Sequence, residues 1–186
     1  TIFVTGNITR DYWSGISGSQ VSYIPESETP TSTSQLTIFE GPTNTETNYG
    51  TRIRGYVVPP VTGEYVFWIA SNDHSELRIS TDEQPVNKGQ VIASVTGATG
   101  VREWTKYPSQ KSVAKTLTAG QRYYIEALHK QGAGSANIAV GWTLPGGTEE
   151  KPIPGHRLMP YETSANSAPV VLISSPTDGQ TFSAPA

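Results

Sequence analysis

Few windows of this chain keep an apolar i, i+3, i+4 period without Gly, Pro or clustered β-branched residues interrupting it, so helices are a poor basis for its fold. The chain offers instead short β-forming runs set between turn residues. Tyr56-Val57-Val58 ends on Pro59-Pro60. Gly63 opens Glu64-Tyr65-Val66-Phe67-Trp68-Ile69-Ala70, long enough for a buried strand. Ser75-Glu76-Leu77-Arg78-Ile79-Ser80 alternates, which puts Leu77 and Ile79 on one face and Glu76 and Arg78 on the other. The Ser71-Asn72-Asp73-His74 stretch between these runs reads as a tight hairpin connection. A second hairpin is expected where Arg122-Tyr123-Tyr124-Ile125-Glu126-Ala127-Leu128-His129 leads into Gln131-Gly132-Ala133-Gly134-Ser135-Ala136. Its return strand would be Asn137-Ile138-Ala139-Val140-Gly141-Trp142-Thr143-Leu144. Many short strands with regular turn signals indicate an all-β sandwich or barrel of antiparallel strands.

Composition narrows the function classes. Gly 18 and Pro 14 make about 17% of the 186 residues, against roughly 12% in average proteins, which suits a turn-rich fold. Cys 0 removes disulfides, Cys-ligated zinc, iron–sulfur clusters and cysteine nucleophiles. A net charge of −3 with no basic cluster argues against nucleic acid as a partner. No stretch approaches about 18 consecutive apolar residues, so membrane insertion is not expected. Only 16% of residues are charged, and much of the polarity comes from Ser and Thr, a texture that fits a secreted or cell-surface bacterial protein. Near residue 161 the texture changes. Glu162-Thr163-Ser164-Ala165-Asn166-Ser167-Ala168 reads as a linker, and Pro169-Val170-Val171-Leu172-Ile173 as the first strand of a further module. The expected division is a domain over 1–161, a linker over 162–168 and the start of another domain over 169–186, so other domains of the same chain are expected partners.

Several stretches together carry a family resemblance. They are Asn48-Tyr49-Gly50-Thr51-Arg52-Ile53-Arg54-Gly55-Tyr56, Pro59-Pro60-Val61-Thr62-Gly63-Glu64-Tyr65-Val66-Phe67-Trp68, Ser75-Glu76-Leu77 with Ser80-Thr81-Asp82, Tyr123-Tyr124-Ile125-Glu126-Ala127-Leu128-His129-Lys130, and Ala139-Val140-Gly141-Trp142. Pro152-Ile153-Pro154-Gly155 with Leu158 closes the set. From about residue 6 to residue 161 the chain resembles the PA14 domain, a β-sandwich module of toxins, glycosidases, adhesins and flocculins. The tail over 168–186 resembles, more weakly, the first strand of a bacterial Ig-like repeat.

The resemblance implies a carbohydrate-binding, lectin-like module. In that branch of the family, two adjacent Asp residues joined by a cis peptide hold a calcium ion, and a second loop completes the site. Calcium takes 6–8 oxygen ligands, so sugar hydroxyls can fill the remaining positions. The residues carried over are Asn72, Asp73, Gln131 and Asn137 as metal ligands. His74 beside the site could hydrogen-bond a sugar hydroxyl, Ser135 is a further oxygen donor of the second loop, and Trp104 and Tyr107 are candidate sugar platforms. Two departures stand out. The paired Asp position reads Asn72-Asp73, which replaces one carboxylate with an amide. Ala136 stands where the family often has an acid. Both lower the charge of the site, so Ca2+ is expected only weakly, and a plain turn at Asn72-Asp73 remains the other reading.

The remaining features are blander. His129 and His156 are isolated and suggest no zinc site. Trp68 and Trp142 sit within strands and are expected in the core; Trp13, Trp104 and Tyr107 lie in less regular segments and are the better candidates for an exposed sugar platform, with core or packing the leading reading for each. The acid pairs Asp82-Glu83 and Glu149-Glu150 read as turn charges rather than as a glycosidase pair across a cleft. No G-x-S-x-G elbow or P-loop is present. No catalytic residue is therefore assigned. The expected function is a non-catalytic module binding a glycan or polysaccharide. The alternative is a structural spacer or protein-interaction module in an adhesin or glycoside-hydrolase array.

Overall fold

The structure is a computed structural model that describes residues 5–44 and 46–161. The linker and the strand expected over 162–186 lie outside the described residues. Two antiparallel sheets face each other across one core. The large sheet runs in the order β2 (Ser32–Leu36), β1 (Ile8–Trp13), β3 (Tyr49–Val57), β8 (Tyr123–Gln131), β5 (His74–Ile79) and β6 (Ala93–Val95). β11 (Leu158–Pro160) pairs with β3 just beyond β1. The small sheet runs β10 (Glu149–Glu150), β9 (Asn137–Thr143), β4 (Gly63–Asn72) and β7 (Lys115–Leu117). Helix among the described residues is limited to four short 3-10 turns.

The β-rich runs become strands because each presents an apolar face to the same core. Tyr65, Phe67, Ile69, Val140 and Trp142 reach in from the small sheet. Ile53, Leu77, Ile125 and Ala127 reach in from the large one. The alternation of 75–80 holds: Leu77 and Ile79 are buried, while Glu76 and Arg78 face outward as an ion pair at 2.8 Å.

Neither expected hairpin forms. β4 pairs with β9 and β7, and β5 pairs with β8 and β6. The chain therefore crosses from the small sheet to the large one at Asn72-Asp73, and back again through 132–136. Apolar alternation marks each strand but not its neighbour. Had β4 and β5 paired, Phe67, Ile69, Leu77 and Ile79 would share one side of one sheet. With the strands in opposite sheets, those residues bury against each other. Both crossings fall at the same end of the sandwich, and this builds the site described next.

Among the tryptophans, Trp13 takes the packed position that is its leading reading, and Trp68 differs from expectation. Trp13 ends β1, is buried with Ile24 and Leu128, and its Nε1–H donates to the Glu28 carbonyl at 3.2 Å. Trp68 is not in the core. It lies on the outer face of the small sheet, with Lys151 Nζ 3.6 Å and Lys111 Nζ 5.1 Å from its ring centre. Its neighbours in register alternate inward, so the in-strand position was right and the face was not. Trp142 is in the core, as expected.

Candidate functional site

The end of the sandwich where both crossings meet gathers residues far apart in sequence. The Asn72–Asp73 peptide is cis, the geometry the family resemblance implied. Around it the chain is bound closely. The Asn72 carbonyl accepts from His129 Nε2 at 2.7 Å. Ser71 Oγ donates to the Asp73 carbonyl at 2.6 Å. Asp73 Oδ2 accepts from the Gly132 N–H at 2.9 Å, which fixes the carboxylate against the second crossing. A Cβ at Gly132 would stand 3.2 Å from Asp73 Oδ2, so a side chain there would push the carboxylate by a few tenths of an ångström.

The second crossing is shaped from inside. Gln131 Nε2 donates to the carbonyls of Ala133 at 3.2 Å and Ser135 at 3.0 Å, so its side chain caps the 132–136 loop. Asn44 braces the same loop: its N–H donates to the Ala136 carbonyl (3.0 Å) and its Oδ1 accepts from Ala136 N–H (2.8 Å). Asn137, opposite Asn72 in register, donates through Nδ2 to the Thr99 carbonyl at 3.1 Å. Thr99 N–H in turn donates to the Ser71 carbonyl at 2.7 Å. Two amide oxygens are left over. Gln131 Oε1 and Asn137 Oδ1 are buried and have no hydrogen-bond partner. Buried polar atoms are nearly always satisfied, so such orphans call for an occupant.

The structure thus gathers Asn72, Asp73, Gln131 and Asn137 at one place. Ser135 is exposed on the same loop. His74 begins β5 next to Asp73 and lines a separate cleft. Trp104 and Tyr107 lie on the loop that carries Thr99. Trp104 is half-buried. Tyr107 packs against the edge of the core, and its hydroxyl donates to the Ala98 carbonyl at 3.3 Å. Sequence reading missed Asn44, Thr99 and the supporting role of His129. The positive φ of Asn44 (53°) belongs to a turn, but nothing in its sequence neighbourhood points to residue 136.

Among the described residues no group of three or more His, Asp or Glu side chains converges as a metal cluster. The donors are one carboxylate and several neutral oxygens. A positive charge is already near: Lys130 Nζ donates to the carbonyls of Gly18 (2.5 Å) and Gln131 (2.7 Å) and is attracted by Asp73. The acid pairs lie elsewhere in turns and ion pairs. Asp82 accepts from Gln84 N–H, Glu83 pairs with Arg122, Glu149 with Lys151 and Glu150 with Arg157.

His129 gives the site a pH dependence. Complete burial pushes its pKa down to about 4, against the upward pull of the Asn72 bond, and the charges of Arg10 and Lys130 act in the same direction as burial. Its Nδ1 is buried without a partner and its ring meets Tyr49 edge-on, so a proton there would have nowhere to bond. The folded pKa lies below the unfolded value near 6.5. Stability is therefore full above pH 6.5 and is lost as pH falls from there toward 4. The loss amounts to roughly 3 kcal/mol over that range. Denaturant melts from pH 7 to pH 4.5 should show this decline. In His129→Gln, which keeps an N–H for the Asn72 carbonyl, the decline should be clearly shallower.

Comparison with known proteins gives the same architecture. The sequence profile described as "PA14 domain" matches residues 4–156. Mouse N-acetyl-beta-glucosaminyl-glycoprotein 4-beta-N-acetylgalactosaminyltransferase 1 is 45% identical over 106 residues, 53% of this chain. The match covers only 10% of that protein's length. A PA14 sugar-binding domain from an RTX adhesin superposes with a TM-score of 0.59 at 14% identity, covering 80% of this chain and 95% of that one. The Epithelial Adhesin 9 A domain of Candida glabrata, solved in complex with Galβ1-4GlcNAc, has a TM-score of 0.59 at 13% identity, covering 83% and 88%. At those identities the two structures speak to fold, and the profile match over most of the chain settles kinship. This chain belongs to the PA14 domain family.

Proposed function

We propose that the domain is a non-catalytic glycan-binding module whose site is the Asn72-Asp73 crossing together with Gln131 and Asn137, and which works with weakly held calcium. The carrying observation is the pair of buried, unpartnered oxygens, Gln131 Oε1 and Asn137 Oδ1, flanking the loop that holds Asp73. These are hard, neutral oxygen donors, and with the Asp73 carboxylate, the Asn72 amide and main-chain carbonyls of 132–136 they fit a cation that takes 6–8 oxygens. Calcium bound there supplies open positions for two neighbouring sugar hydroxyls. One carboxylate beside Lys130 makes a low-charge site, so the dissociation constant should fall in the range of roughly 0.1–1 mM typical of weak extracellular modules. The two adhesin domains among its structural neighbours support a glycan as ligand and a secreted or surface-displayed parent protein. Weak single sites suit a multidomain chain in which avidity supplies the strength.

Thermal melting with calcium and with EDTA tests this reading. Calcium at ten times its dissociation constant adds about 1.4 kcal/mol. In a domain of this size that raises the melting temperature by about 3–6 °C. No shift at 10 mM calcium would remove the metal from the mechanism and favour the spacer reading, which draws on the single carboxylate of the site.

A further inference from the structure

A second cleft of about 510 Å³ opens beside the Asp73 loop, on the outer face of β5 and β6. Its floor carries His74, Glu76, Ser94 and Thr96, and its wall is the turn containing Gln20 and Ser22. Its volume is that of a small-molecule site. It is continuous with the Asp73 loop in two ways. His74 directly follows Asp73 in sequence. The segment that forms the wall starts at Gly18, whose carbonyl lies against Gly132 and is held by buried Lys130 Nζ at 2.5 Å. Strand rise of about 3.3 Å per residue places Glu76 roughly 10 Å along from Asp73.

The chemistry of the cleft is selective. Glu76 binds Arg78 through Oε2 at 2.8 Å, which leaves Oε1 to accept from a ligand, and its side chain is 33% exposed. Hydroxyls, the Gln20 amide and the side chains of Val21, Val91 and Val95 line the rest, and no Lys or Arg lines it. Such a surface accepts hydrogen bonds from hydroxyl groups and repels anions. We propose that this cleft is a second sugar subsite, so that the protein recognises a neutral glycan of at least two residues, one at the Asp73 loop and the next over Glu76. The proposal rests on the glycan-binding reading above.

The test is a calcium-containing array of mono- and disaccharides of galactose, glucose, mannose and N-acetylglucosamine, with sulfated and uronic counterparts. It is probed with the wild type, Asp73→Ala, Ser94→Trp and Glu76→Ala. The wild type should favour its best neutral disaccharide over the matching monosaccharide at least about tenfold, equivalent to 1.4 kcal/mol. In Ser94→Trp, which fills the cleft, and in Glu76→Ala, which adds no bulk, that ratio should fall close to one. A wild-type ratio near one, or a ratio unchanged in both variants, overturns the second subsite and leaves the Asp73 site standing. Equal binding of sulfated or uronic forms overturns the assigned neutrality. Binding of no sugar at all, or binding indifferent to Asp73→Ala, overturns the glycan-binding reading and this proposal with it.

Discussion

In Asp73→Ala the calcium-induced rise in melting temperature disappears, and retention on an immobilised glycan falls at least about a hundredfold, a loss of roughly 2.7 kcal/mol. Asp73 contributes the only carboxylate among the candidate donors, so its removal leaves amide and main-chain oxygens without charge to hold a divalent cation. The same side chain also accepts the Gly132 N–H at 2.9 Å, and losing that bond alone would destabilise the loop by about 1–3 kcal/mol. The two roles separate in Asp73→Asn. An amide oxygen still accepts from Gly132, so the calcium-free melting temperature should stay near that of the wild type. The charge is gone, so the calcium shift should still be lost. Melts of the three proteins with calcium and with EDTA check this directly. A calcium shift preserved in Asp73→Asn would place the cation elsewhere and undo the assignment.

Much of the fold was legible because alternation is a direct record of burial. Over 76–79 the sequence pattern and the faces agree residue by residue. Strand pairing was not legible, since an apolar face says nothing of which strand lies alongside. That is why two sheet-crossing connections looked like hairpins. The same limit misplaced Trp68, which lies within a strand but on its outer face, where lysine ammonium groups cover the ring. At the site, Asn72-Asp73 and the 131–137 segment stood out through family resemblance. Their supports did not. Asn44, Thr99 and His129 act through main-chain hydrogen bonds that only the folded chain brings within reach. The cleft over Glu76 was equally silent, because its wall comes from an excursion between β1 and β2 that carries no motif.

That excursion is held by a buried charge cluster, and breaking the cluster should be the most destabilising change outside the core. Asp11 on β1 is buried and faces two cations from β3. Its Oδ2 lies 2.9 Å from Arg52 and 2.9 Å from Arg54, and its Oδ1 accepts from Thr33 at 3.1 Å. Arg52 and Arg54 project from the same face of one strand, so they repel one another once the carboxylate is gone. Asp11→Ala should therefore cost about 3–5 kcal/mol, as when one partner of a buried ion pair is removed. In a domain this size that lowers the melting temperature by roughly 10 °C or more. The loss measures the burden of orphaned cations and not the worth of the cluster. A triple variant, Asp11→Leu with Arg52→Met and Arg54→Met, should recover much of it, because apolar replacement of a whole buried cluster is often nearly neutral. Recovery in stability should come without recovery at the cleft. Arg52 also reaches the Glu26 carbonyl at 3.5 Å and its carboxylate at 3.6 Å, and so ties the 14–31 excursion to the sheet. The triple variant removes that tie, leaving the Gln20–Ser22 wall supported by Lys130, by the Trp13 indole bond to the Glu28 carbonyl, and by Val21 and Ile24 packed with Trp13 and Leu128. Its melting temperature should approach that of the wild type, while amide exchange over 18–26 should quicken relative to the strands. Exchange as slow as in the wild type would show that apolar contacts alone hold the wall, and that the charge cluster serves the sheet and not the cleft.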